Sequence, residues 1–69
     1  MHYNYYKRVY IENTFAAGLA VGSLKSHLAG QGAGELNIID ATSDHVEIEI
    51  ATYSPLVMDY AEDRLAAYV

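Results

Sequence analysis

The chain contains no cysteine and no tryptophan, and its 69 residues include one proline, one phenylalanine and only four Lys and Arg. Without cysteine there is no disulfide, and the commonest zinc sites lose their usual ligand. The four cations face nine Asp and Glu, for a net charge of −5. Nucleic acid is disfavoured as a partner, because its phosphates are held by clustered Lys and Arg. No run approaches the roughly 18 apolar residues that mark a membrane span, and the weakly polar stretch 15–24 is short and rich in Ala and Gly. The start lacks the charged-then-apolar order of a signal peptide. The expectation is a soluble, cytoplasmic protein with no membrane association.

What is present argues for a folded chain. Hydrophobic residues make up 52% of the sequence, too many for a disordered segment, and residues 1–69 read as a single domain. A domain of this size buries only about 60% of the surface of its unfolded chain. Small scaffolds make up the shortfall with disulfides, a metal or association, so a homo-oligomer is expected.

Four of the seven tyrosines fall in the first ten residues, Tyr3, Tyr5, Tyr6 and Tyr10, beside Lys7 and Arg8. This decad carries +2 and the remainder −7. Residues 2–12 alternate as Tyr3, Tyr5, Lys7, Val9, Ile11 against Asn4, Tyr6, Arg8, Tyr10, Glu12, the period of a strand. Aromatic rings on both faces cannot all enter one small core, so some must face solvent, a ligand or another chain.

Asn13 or Thr14 offers an N-cap for a helix over 14–28, whose apolar positions are Phe15, Leu19, Val21, Leu24 and Leu28. Gly18 and Gly22 lie on one stripe of it and cost roughly 1 kcal/mol each relative to Ala. Close approach of another backbone would offset that cost, the sheet beneath being the first expectation and a second helix the alternative. Gly30 is suited to end the helix in the left-handed conformation. The glycines at 30, 32 and 34 follow a helix and lead into a strand, the reverse of a phosphate-binding loop. Strands are expected over 35–41 and 45–53 with a turn at Thr42, Ser43 and Asp44, and in the second of them Val46, Ile48, Ile50 and Thr52 alternate strictly with His45, Glu47, Glu49, Ala51 and Tyr53. Ser54 before Pro55 starts a second helix over 55–68, with Leu56, Val57, Tyr60, Ala61, Leu65 and Tyr68 as its apolar stripe.

The order β, α, β, β, α predicts an α+β fold: a two-layer βαββα sandwich of a three-stranded mixed sheet with two helices on one face. A right-handed crossover makes the first two strands parallel, and the short turn makes the third antiparallel to the second. In element order alone the chain resembles a ferredoxin-like unit lacking its last strand. The resemblance implies that the first strand lies beside the third and that its far side is a bare edge.

On the open face, Tyr6, Arg8 and Tyr10 are expected opposite Glu47, Glu49 and Tyr53. Arg8 paired with Glu47 or Glu49 fixes register in one reading; in the other, tyrosines around a carboxylate pair form a binding face. Lys7 points to the helix side, where its stem can snorkel. His45, Glu47 and Glu49 offer metal-ligand atoms, but on a strand residues two apart are separated by about 6.6 Å and those four apart by about 13 Å, so at most two of the three could share one ion. Ser43, Asp44 and His45 are consecutive and cannot form a hydrolase triad. Glu47 and Glu49 lack a cleft that would raise a carboxylate pKa. No catalytic residue, cofactor or metal site is assigned, and the chain is not expected to be an enzyme.

The expected function is a small acidic protein–protein interaction module. Its interface residues are Tyr3, Tyr5, Tyr6, Arg8, Tyr10, Glu47, Glu49 and Tyr53, since Tyr brings large contact area with few rotors. Asp59, Glu62 and Asp63, with Glu35 and Asp40, form an acidic side for a basic protein partner, and size and charge suit an inhibitor of a basic cleft. The alternative is an oligomeric module binding a small metabolite at a subunit junction beside Tyr6, Tyr10 and Tyr53.

Overall fold

In the computed structural model, which describes residues 2–69, the elements follow the expected order: β1 (Tyr5–Glu12), α1 (Phe15–Gln31), β2 (Gly34–Ala41), β3 (His45–Thr52), α2 (Pro55–Leu65) and a closing 3₁₀ turn, Ala66–Tyr68. The sheet order is β1-β3-β2. β1 and β2 run parallel but never pair, because β3 lies between them. Both ladders are antiparallel, which narrows the expected mixed sheet to an antiparallel one.

Local chemistry sets the boundaries. Thr14, not Asn13, caps α1: its Oγ1 accepts from the Ala17 amide at 3.1 Å and donates to Glu12 Oε2 at 2.7 Å. Asn13 is used differently, its Nδ2 donating to the Thr42 carbonyl at 2.7 Å and tying the start of α1 to the β2–β3 turn. α1 outlasts its expected end by three residues, and Gly32, not Gly30, takes the left-handed cap with φ 63°. Gly30 continues the helix. Ser54 and Pro55 start α2 as expected, with Ser54 Oγ accepting from the Leu56 amide at 3.2 Å. Its last residues tighten into the 3₁₀ turn rather than continuing the α-helix to Tyr68.

The core lies between the sheet and the helices. Ile11, Leu36, Ile48 and Ile50 come from the sheet, Ala17, Val21, Leu24 and Leu28 from α1, and Met58, Ala61 and Leu65 from α2. The 4-3-4 spacing on α1 and the 3-4 spacing on α2 are those of a single helical face. Thr52 is fully buried and satisfied, its Oγ1 donating to the Ser54 carbonyl at 2.8 Å. Several positions of the expected apolar stripes lie outside the core, Phe15, Leu19 and Leu56 being exposed, as is Ile38 of β2, while Met58 takes a place in the core. Two helices cover only part of one sheet face, so the apolar flank of α1 beside β2 has nothing to pack on.

Gly18 and Gly22 belong to that flank. A Cβ at either would meet nothing within 4 Å, so the sheet is not what approaches them. Gly34 is the opposite case: a Cβ there would collide with the Ala51 carbonyl oxygen and lie 3.1 Å from Thr52 Cγ2. Only glycine fits where β2 starts against β3.

Candidate functional site

The register of β3 with its two neighbours arranges the open face in rows across the sheet: Tyr6, Ala51, Glu35; then Arg8, Glu49, Asn37; then Tyr10, Glu47, Asp40. Arg8 is in the middle of its strand. Its Nε lies 3.5 Å from Glu49 Oε2 and its Nη1 4.0 Å from Glu47 Oε2, so the expected cross-strand pairing forms with both carboxylates. An exposed guanidinium of this kind contributes a fraction of a kcal/mol, screened by solvent. Tyr6 and Tyr10 flank it, 57% and 61% exposed. Rings two rows apart on one strand are separated by about 13 Å, which is a surface rather than a ligand pocket.

At the Tyr6 end the ladder slips. The Asn4 amide donates to the carbonyl of Thr52, which faces Tyr5, at 3.1 Å, and Tyr3 stacks on Tyr53 with ring centroids 4.6 Å apart and a 39° tilt. The Tyr3 phenol is pushed above its ordinary pKa by desolvation first, then by the charge of Glu35 and by Tyr53 and Tyr6. Ala51, facing Tyr6, is buried although it belongs to the open side of the sheet. Tyr5 has the helix-side parity of Lys7 and Val9, so it does not join Tyr6 and Tyr10.

The α2 carboxylates do not form one surface with Glu35 and Asp40. Glu62 lies on the helix layer and takes Lys7 Nζ at 2.8 Å, beside Asp63 and one turn from Asp59, whereas Glu35 and Asp40 belong to the open face of β2. Charge sums in the sequence carry no information about which layer holds each carboxylate.

A cleft of about 620 Å³ runs along the outer side of β1, lined by Lys7, Arg8, Val9 and Tyr10 on the strand and by Glu62, Asp63, Ala66 and Val69 at the end of α2. Its α2 wall is absent from a reading of strand faces alone. The helix-side parity of Lys7, opposite in charge to Glu62, was the one sequence signal for it. A smaller cleft of about 280 Å³ separates the helices, between Leu28 and Gln31 of α1 and Leu56, Val57 and Tyr60 of α2. Tyr60 packs on His27 at 5.5 Å, with the Arg64 guanidinium 5.9 Å from its ring centre.

Among the described residues no three His, Asp or Glu side chains are grouped to hold a metal ion, and no helix is long and apolar enough to cross a membrane. No protein-family model matches the chain, and neither a curated protein nor a solved structure is significantly similar to it.

Proposed function

We propose that this chain is a protein–protein interaction module of the cytoplasm that works by self-association through its tyrosine-rich first strand. The observation that carries this reading is the pair of exposed rings, Tyr6 and Tyr10, set on either side of Arg8 on a sheet face that no helix covers. Rigid aromatic side chains with a polar tip, grouped around an Arg, match the composition of interface centres. The thin core of a 69-residue chain is the second support, since association adds buried surface that the fold lacks.

The test is light scattering of the purified chain at micromolar concentration, alongside a variant carrying Tyr6→Ser and Tyr10→Ser. The expected result is an oligomer that the double variant loses while keeping its helical circular dichroism. A strict monomer, or a double variant that assembles like the parent, would overturn the reading. Capture of a basic protein, as an inhibitor would do, was the further expectation. With the carboxylates divided between two layers, Asp59, Glu62 and Asp63 would have to serve it alone.

A further inference from the structure

The backbone of β1 says which surface of this strand a second copy would take. The Asn13 amide donates to the Asp44 carbonyl at 3.0 Å, and this continues the β1–β3 register. Residues at odd positions therefore exchange hydrogen bonds with β3, and the N–H and C=O groups of Tyr6, Arg8, Tyr10 and Glu12 point to the outer edge. Among the described residues no strand pairs with that edge. Over Tyr5–Glu12 it has neither proline nor bulge, and of the usual protections of an exposed edge it carries only charged side chains, Lys7, Arg8 and Glu12.

We infer that the occupant of this edge is β1 of a second copy, paired antiparallel about a two-fold axis at Val9, so that the two sheets join into one of six strands. The inference rests on the self-association proposed above and specifies how it is made. Pairing about Val9 sets Tyr6 opposite Glu12 and Arg8 opposite Tyr10 of the other copy. It is the one two-fold register in which all four outward residues meet outward residues. Arg8 then lies against an aromatic ring, a favourable cation–π neighbour. Val9 meets its own copy on the helix side, above the cleft bounded by Ala66 and Val69. An axis at Arg8 would set two guanidinium groups directly opposite, which is unfavourable. An axis at Tyr10 would leave Tyr6 beyond the overlap.

The other modes of self-contact are weaker on charge and closure. Stacking the open faces would bury Glu35, Asp40, Glu47 and Glu49 of each copy against a single Arg8, and buried carboxylates without partners are costly. The β2 edge is interrupted by a bulge between Ile38 and Asp40. A β1-to-β2 contact is head-to-tail and gives a ring or an open filament, whereas β1-to-β1 closes as a dimer.

Single-cysteine variants give a clean readout because the chain has no cysteine of its own. Val9 and its copy would form a non-hydrogen-bonded pair, with Cα atoms about 4.5 Å apart and within disulfide range. With oxidised glutathione, Val9→Cys is expected to form a covalent dimer at least about tenfold faster than Arg8→Cys, Tyr10→Cys or Ile39→Cys. Arg8→Pro removes an outward N–H that β3 does not use, and should weaken the dimer about 100-fold; Arg8→Ala, which keeps that N–H, should weaken it less than about tenfold. Faster cross-linking through Arg8→Cys or Tyr10→Cys would overturn the Val9 register, and through Ile39→Cys the choice of edge. An oligomer lost in the tyrosine double variant but indifferent to Arg8→Pro would overturn this inference and leave the self-association reading standing.

Discussion

β1 and β2 flank the same central strand and run in the same direction, yet they make opposite kinds of edge. β2 begins at a glycine wedged against β3, breaks at a bulge after Ile38 and bears Glu35 and Asp40. β1 runs eight residues without a bulge and bears Lys7 and Arg8. On the helix side each strand is packed at one end only: Ile11 of β1 is 1% exposed and Tyr5 42%, and Leu36 of β2 is 1% exposed and Ile38 62%. Each underside is packed only in part, β1 at Ile11 with Tyr5 and Lys7 exposed, and β2 at Gly34 and Leu36 with Ile38 exposed; what separates the two edges is the row, continuous along β1 and interrupted along β2.

The largest expected effect separates the two isoleucines. Ile11→Ala should cost about 3 kcal/mol, the usual range for emptying a packed aliphatic site, while Ile38→Ala should stay within about 0.5 kcal/mol as an exposed substitution. Urea denaturation of both variants measures the difference. Equal costs would mean that Ile38 is covered in solution and that the underside of β2 is packed along its length.

Gly34→Ala comes next. The new methyl has the Ala51 carbonyl in its way, so a loss of about 2 kcal/mol is expected, in the range for overpacking. A neutral result would show that β2 can shift away from β3 at its start. Gly22→Ala should act in the opposite direction, because the added Cβ enters open space and alanine is favoured in a helix by about 1 kcal/mol. If this variant instead loses stability or association, another backbone lies on the α1 flank beside β2, and both sides of the molecule are interfaces.

Smaller effects belong to the polar rim of β1. Glu62→Gln removes the ion pair with Lys7, whose two side chains are 33% and 52% exposed, and should cost no more than about 0.5 kcal/mol. A larger loss would make the α2 wall of the cleft a structural support of β1. Tyr3 gives a pH signature at the other end of the strand. Its folded pKa is raised above the ordinary 10.0, so the fold holds the neutral phenol. That contribution is complete below pH 10 and is lost as pH rises through the folded value. Alkaline titration of unfolding should therefore show a falling branch that Tyr3→Phe reduces; an unchanged branch would assign it to other groups.

Much of the fold was legible locally. Ser54 and Pro55 carry their own start signal, and the alternation from Val46 to Thr52 marks a strand with one buried face. The pairing of Arg8 with Glu47 and Glu49 followed from parity plus strand order. The features that escaped are those set by coverage. Phe15 and Leu19 read as core because they are apolar on an apolar helix, but α1 turns Ala17, Val21, Leu24 and Leu28 inward, and among the described residues no third helix covers the other flank. Met58 is not singled out by the pattern because its neighbours Leu56 and Val57 are equally apolar, and only the position of α2 against the sheet selects among them.

The residues alone determined the element order, the start of α2, the two faces of β1 and the concentration of tyrosine and positive charge in one strand, because these depend on neighbours within a few positions. Tertiary structure decided the rest. It placed β3 between two parallel strands, divided the carboxylates between layers, left the Gly18 and Gly22 stripe open, and put Glu62, Ala66 and Val69 beside the outer edge of β1. Those outcomes depend on how much sheet two helices can cover, a balance of areas that the local pattern of a sequence does not contain.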